Sequence, residues 1–247
     1  MYKFFVPANQ IKENEIIITG KDVNHISNVL RLRINEKIII CNKEKGISYI
    51  TEILNIDKDE IVCKIISRED DTTESNINID VYQGIPKSDK MEYIIQKGTE
   101  IGAKRFIPVE MSRCIAKIDK KSEAKKMDRW QKIAEVASKQ SKRDIIPKVE
   151  NVEKIEDICK NIPKYDIILL AYENENNISL KDELKKLDKN KELNIGIIIG
   201  PEGGLEESEV EKLISCGAKC VSLGKRILRT ETASIVMISD IIYEFEL

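Results

Sequence analysis

Histidine is almost missing: His25 is the only one in 247 residues. That removes most zinc sites and every histidine-dependent triad not built on His25. The six cysteines (Cys41, Cys63, Cys114, Cys159, Cys216, Cys220) are scattered and form no C-x-x-C pair, which fits a reduced cytoplasmic interior where thiols act as small buried hydrophobes. No apolar run reaches the roughly 18 residues of a membrane helix, and "MYKFFVPANQIKENE" has too short an apolar core for a secretory signal. Net charge is also small, −2, so any preference for nucleic acid must be read from where the charges sit. Neither an internal repeat nor a low-complexity tract is present. What remains is a soluble, globular composition, 41% hydrophobic and 34% charged, long enough for one large domain or two modest ones.

The first 70 residues are rich in short β-prone runs ("YKFFV", "EIIIT", "EKIIIC", "ISYITEILNI", "EIVCKIISR") interrupted by one helix-like insert, "DVNHISNVLRLR". This pattern predicts a small barrel or half-barrel. The polar stretch Glu69–Asn76 lacks an apolar anchor and places a boundary there, giving domains at 1–72 and 73–247. Beyond it, strands and helices alternate. "INIDVYQG", "KRFIPVE", "YDIILLAYE", "NIGIIIG" and "AKCVSLG" read as strands. Helices are expected over "SDKMEYIIQKGTEIG", with Ser88 as N-cap and Met91, Ile94, Ile95 and Ile101 on one face, and near 122–141, 179–187, 206–215 and 232–245. Continuous Ile/Leu/Val strands between helices predict an α/β domain with a mostly parallel sheet covered on both faces.

"IGIIIGPEGGLEESE", Ile195–Glu209, leaves one such strand through Gly200, Gly203 and Gly204. It is neither a P-loop nor a dinucleotide fingerprint, because no Lys-Ser/Thr follows the glycines and their spacing is wrong. Glu206 and Glu207 would repel a phosphate. Two readings stay open: a tight strand-to-helix turn, or bare backbone holding a ligand of positive or no net charge at the strand ends. A second strand leaves through Gly224 into Arg226, Arg229, Thr230, Glu231 and Thr232, ahead of an apolar helix, and a third ends at Tyr172-Glu173. Charged and hydroxyl side chains gathered at a strand end are costly to bury without partners. The bland alternative is a local Arg229–Glu231 salt bridge capping the helix.

"GPEGGL" followed by "LGKRILRTETA" resembles the signature of the SPOUT superfamily of RNA methyltransferases. More narrowly it resembles the bacterial enzymes that methylate N3 of a uridine in 16S ribosomal RNA. The similarity spans nearly the whole chain and includes "HISNVLRLRINEKI", "KSDKMEYIIQKGTEIGAKRFIPVEMSRC" and "EVASKQSKR". Asn35 stands where the family usually has Gly, a mild departure because Asn tolerates left-handed backbone. The resemblance implies a PUA-like N-terminal β-barrel, an α/β methyltransferase domain with a deep trefoil knot, S-adenosylmethionine as methyl donor, and a homodimer that needs no metal. Pattern reading alone predicts an unknotted sheet.

By resemblance, three loops would bind the cofactor, mostly through backbone: Leu170, Ala171 and Tyr172; Ile199, Gly200, Pro201, Glu202, Gly203 and Gly204; and Ser222, Leu223, Gly224, Ile227, Leu228, Thr230 and Ala233. Arg229 would stabilise the uracil anion formed at N3, and Glu231 would act as base or orient Arg229. Arg31, Arg33, Lys90, Gln140, Arg143 and Arg226 would contact RNA, whose target base must be unstacked to be reached. His25 reads as structural or RNA-contacting. Residues 117–143 hold ten Lys and Arg against four acids, the electrostatic footprint of phosphate binding, although most charge runs are solvated helix faces. With Arg31, Arg33 and Lys37 they suggest a groove between the domains for 16S ribosomal RNA or the small subunit. Ile235, Val236, Ile238, Ile241, Ile242 and Phe245 cover more than one face of the last helix, consistent with a dimer. Two alternatives remain: a related enzyme acting on another RNA or base atom, and a non-catalytic RNA-binding protein with the same fold.

Overall fold

A computed structural model describes residues 1–69, 72–175 and 177–246, and of Lys120 the backbone only. The boundary expected at Glu69–Asn76 falls partly on Asp70 and Asp71, which lie outside the described residues. The chain separates into two compact units, Met1–Glu74 with Ser138–Ile146, and Ser75–Ala137 with Pro147–Leu247. The segment 138–146 therefore belongs with the N-terminal part, although it is distant from it in sequence.

The first unit contains β1 (Lys3–Val6), β2 (Glu15–Thr19), a short helix α1 (Lys21–Asn24) continued by one π turn (His25–Val29), β3 (Lys37–Asn42), β4 (Ser48–Ile56) and β5 (Glu60–Arg68). They form one five-stranded sheet in the order β1-β3-β4-β5-β2. Its two edges, β1 and β2, share no pairing among the described strands, so this is the half-barrel alternative. Residues two apart along these strands face one core. Phe4 and Val6 from one edge and Ile16 and Ile18 from the other meet in a single core with Ile38, Ile40, Ile53, Ile61 and Cys63. Asn35, the expected substitute for glycine, has φ 70°, in the left-handed region that Asn tolerates.

β3 is buried on both faces, because segment 138–146 covers the side away from that core: Cys41 Sγ donates to the Asp144 carbonyl at 3.0 Å. Asp144 is the hub of this cover. Its carboxylate accepts from Lys3 Nζ at 2.6 Å, from the Ser48 hydroxyl and from the Thr73 amide at 2.8 Å. Glu74 pairs with Arg143 and accepts the Asp144 amide at 2.8 Å. A buried ammonium and carboxylate are tolerated here because nearly every donor and lone pair has a partner.

The second unit contains β6 (Ile77–Gly84), α2 (Lys90–Ile101), β7 (Arg105–Glu110), α3 (Lys120–Ser141), the two-residue strands β8 (Lys148–Val149) and β9 (Glu153–Lys154), α4 (Ile155–Asn161), β10 (Ile167–Ala171), α5 (Leu180–Leu184), β11 (Leu193–Ile199), α6 (Glu207–Ser215), β12 (Lys219–Val221) and α7 (Thr230–Glu246). The last turn of α3 belongs to the first unit. The sheet runs β12-β10-β11-β6-β7-β8, with β9 also pairing with β7, and every pairing is parallel. On one face Ile155 and Ile158 of α4 pack with Val210 and Leu213 of α6 over Ile168, Leu170 and Ile198. On the other, α7 packs against α2, β6 and β11.

Several local expectations change. Ser88 does not cap α2: Asp89 occupies that position, and Ser88 takes φ 55° in the turn before it. α4 has no counterpart among the expected helices, because its seven residues are too few for a 3.6-residue period to stand out. α7 buries Met237, Ile238, Ile241 and Ile242 within its own unit, leaving Ile235, Val236 and Phe245 half-buried and Tyr243 exposed. Contacts with both a helix and the sheet consume most of its apolar circumference.

Candidate functional site

Three neighbouring strands end level. Ala171 of β10 is in register with Ile199 of β11 on one side and Val221 of β12 on the other. The loops leaving these three ends, with Lys90 from α2, enclose a pocket of about 460 Å3, a size typical of small-molecule sites. Residues from all three expected loops line it. Ala171, Tyr172, Ile199, Gly200, Pro201, Glu202, Gly204, Ser222, Leu223, Gly224, Ile227, Leu228, Thr230 and Ala233 are brought together, along with Arg226 and Arg229. Glu173, Leu205 and Lys225 join them. Three expected residues stand elsewhere. Leu170 is fully buried in the core, Gly203 turns its carbonyl toward Arg113 (3.1 Å), and Glu231 lies behind the pocket wall beside Lys90.

The glycines work by close approach. A Cβ on Gly200 would sit 2.9 Å from Leu205 Cδ1, and one on Gly204, whose φ is +69°, would sit 2.6 Å from Glu173 Oε1. The Gly204 amide closes the turn on the Pro201 carbonyl at 2.9 Å. The Gly200 carbonyl is held from behind: the Thr230 hydroxyl donates to it at 2.6 Å, Gln83 Nε2 donates to Thr230 Oγ1 at 2.8 Å, and Ser234 Oγ donates to Gln83 Oε1. Gln83 and Ser234 are completely buried. This network ties β6, the β11 loop and the first turn of α7 into one rigid wall.

Charge is arranged on both sides of the opening. Lys90 Nζ lies 2.9 Å from Glu202 Oε1 and 3.3 Å from Glu231 Oε2. The hydrogen bond to Glu202 chiefly raises the Lys90 pKa, so the ammonium stays charged. Burial pushes the Glu202 carboxyl up, but hydrogen bonds from Lys90 and from backbone amides outweigh it and the net shift is downward. Glu231 thus turns toward Lys90, and no Arg229–Glu231 bridge forms among the described residues. Arg226 and Arg229 are exposed and carry no ion pair among those residues.

The remaining expected RNA contacts divide. Arg31, Arg33 and Gln140 are exposed. Arg143 is buried, its guanidinium bound to Glu74, so its place is structural rather than at an RNA surface. His25 packs edge-on against Phe4 with ring centroids 6.0 Å apart. On α3, Lys121, Lys125, Arg129 and Lys132 share one solvent-facing stripe, opposite the buried Met127, Trp130 and Ala134. Arg129 is paired with Glu92. Among the described residues no cluster of His, Cys, Asp or Glu could hold a metal ion, and no helix is long and apolar enough to cross a membrane.

Residues 73–242 match the RNA methyltransferase domain family, and residues 18–66 match the RNA methyltransferase PUA domain. The ribosomal RNA small subunit methyltransferase E of Bacillus subtilis is 38% identical over 254 residues, covering 100% of this chain and 98% of that protein. This chain belongs to the ribosomal RNA small subunit methyltransferase E family. The Mesomycoplasma hyopneumoniae member is 32% identical and covers 98% of this chain and 99% of its own. The crystal structure of the Neisseria gonorrhoeae member, bound to S-adenosyl methionine, has a TM-score of 0.87 and 30% identity over 98% of this chain and 97% of that one. The pocket described above lies wholly inside the matched methyltransferase domain.

Sequence reasoning missed Gln83, Ser234 and Arg113. A signal existed for Gln83: a lone amide in a strand buried on both faces needs a dedicated partner.

Proposed function

We infer that this chain transfers a methyl group from S-adenosylmethionine to N3 of a specific uridine in the 16S ribosomal RNA of the small ribosomal subunit. One observation carries the reading: three level strand ends present bare backbone to a single pocket, and a guanidinium with no ion pair among the described residues, Arg229, stands at its rim. The pocket fits the donor. Its volume suits a nucleoside, Gly200 and Gly204 leave no space for a Cβ, and the Glu173 carboxylate on its lining favours a cation. Ala171, Gly200, Gly204, Leu223 and Leu228 would hold it largely through main-chain groups. When bound, the donor supplies an electrophilic methyl on a positively charged sulfur.

The chain's own residues prepare the acceptor. N3 of uracil carries a proton and becomes nucleophilic only once that proton leaves and the charge on O2 and O4 is met. Arg229 is placed to meet it, and Arg226 to hold the target's phosphate. Arg31, Arg33, Gln140 and the α3 stripe of Lys121, Lys125 and Lys132 are the RNA-facing groups, acting through phosphates rather than bases. The trefoil knot follows from family membership. The half-buried Ile235, Val236 and Phe245 with the exposed Tyr243 form the surface through which two copies would pair, and a ribosomal RNA substrate assigns the work to the cytoplasm.

The test is nucleoside mass spectrometry of 16S ribosomal RNA from a strain lacking this chain. 3-Methyluridine should disappear and return on complementation. Its persistence, or loss of a different nucleoside, would overturn the assignment.

A further inference from the structure

Lys90 is the first residue of α2 and reaches the pocket from a different direction than the three strand-end loops. An ammonium has three N–H donors. Two carboxylates from separate elements hold it, Glu202 of the β11 loop at 2.9 Å and Glu231 of α7 at 3.3 Å. Its side chain keeps 29% of its exposure and borders the cavity. Neither carboxylate is spare. Glu202 also accepts the Lys87 amide at 3.1 Å, and Glu231 Oε2, sealed from solvent, has the ammonium as its ionic partner but no well-formed hydrogen bond. The arrangement is a preorganised cation that borders the cavity and has more N–H donors than it has carboxylate partners. The charged groups around it are Glu202 and Glu231 in direct contact, with Glu173, Lys225, Arg226 and Arg229 lining the same cavity.

We propose that Lys90 donates its remaining N–H to a carbonyl oxygen of the target pyrimidine, sharing with Arg229 the negative charge that develops when N3 loses its proton. This rests on the uridine-N3 reading above. The N3 proton passes to solvent, and the pair it leaves behind takes the methyl. The pair from the methyl's former bond stays with the departing thioether. Lys90 itself gives up no proton. Glu202 and Glu231 are positioning residues that hold it, which gives Glu231 a role other than orienting Arg229.

The experiment compares Lys90→Met, Lys90→Gln and Lys90→Arg with the full wild-type chain on small-subunit RNA, from about pH 6.5 to about pH 9.5. Lys90→Met should lower kcat by about 10²–10³-fold near neutrality, the usual loss for one donor to a developing anion. KM for RNA and the calorimetric Kd for S-adenosylmethionine should move less than about twofold, since neither ground state uses the donor. The deficit should shrink as pH rises, because N3 then ionises without help, so the rise of rate with pH continues further than in wild type. Lys90→Arg should retain most activity, and Lys90→Gln, a donor without charge, should fall between. A deficit equal at every pH, or one confined to KM or to donor affinity, would overturn the proposal. If Lys90→Met does not fold, the Gln and Arg variants carry the same pH test. Wild-type protein that makes no 3-methyluridine would instead sink the functional reading, so the two failures are distinguishable.

Discussion

The Thr230 hydroxyl donates to the Gly200 carbonyl at 2.6 Å and accepts from Gln83 at 2.8 Å, fastening the glycine loop to the first turn of α7. Thr230→Val deletes both bonds while nearly preserving shape. It takes the hydroxyl donor from the Gly200 carbonyl and one of two acceptors from Gln83 Nε2, which keeps the Gly84 carbonyl at 2.9 Å, at a cost of about 1–3 kcal/mol. Calorimetry should show S-adenosylmethionine affinity falling by about tenfold or more as the loop relaxes, and Thr230→Ser should restore it. Equal affinity in the Val variant would mean the wall needs no such anchor.

Arg229→Ala addresses the reaction rather than the cofactor. The side chain is exposed at the pocket rim and makes no ion pair among the described residues, so its removal should spare the fold and the donor's Kd. Single-turnover methylation should slow by about 10²–10³-fold, as for removal of one group that stabilises a developing anion. An unchanged rate would take Arg229 out of the mechanism.

RNA affinity should fall steeply as salt rises, with a slope in log–log form of about 0.7–0.9 per phosphate neutralised. Replacing Lys121, Lys125 and Lys132 together by Ala should flatten that slope by about two, roughly one counterion per lysine less screening. Filter binding across a salt series measures it. A slope identical to wild type would reduce the stripe to a solvated helix face.

Lys3 and Asp144 give a stability prediction. Asp144→Asn strands a buried ammonium and should destabilise the first unit by about 3–5 kcal/mol, whereas the paired change Lys3→Met with Asp144→Leu should recover only part of the loss, because the Ser48 hydroxyl and the Thr73 amide then lack their acceptor. Burial raises the Asp144 carboxyl, but hydrogen bonds from Lys3, Ser48 and Thr73 outweigh it, and its pKa ends below the ordinary 3.8. The folded form therefore holds fewer protons than the unfolded form between the lowered value and 3.8. The associated stability is complete above that range and is lost as pH falls through it. Urea melts at neutral and acidic pH check both: the variants against wild type give the size, and the loss of wild-type stability in acid, missing from the variants, gives the sign.

Regular elements were legible because their side chains repeat. The β-prone runs "EIIIT" and "EIVCKIISR" coincide with β2 and β5 residue for residue, and "INIDVYQG" coincides with β6. Likewise, Gly200, Gly204 and Gly224 announced the loops that converge on the pocket. Contacts between distant segments were not legible. Nothing local in Arg143 says that it is consumed by Glu74, 69 positions away, nor in Glu231 that its partner is Lys90. A basic side chain reads the same in sequence whether it faces a phosphate or a buried carboxylate. Only the fold supplies the partner.

Asp144 and Lys3 are 141 residues apart, and this has a bearing on synthesis at the ribosome. While the nascent chain grows from Glu74 to Asp144, the N-terminal strands wait with an ammonium that has no counter-ion, for about 4–14 s at ordinary elongation rates of about 5–20 residues per second. The N-terminal sheet is thus covered late, by a piece of polypeptide translated well after it. A polypeptide ending near Glu74 should be a poor folder, although it would contain every strand of that sheet.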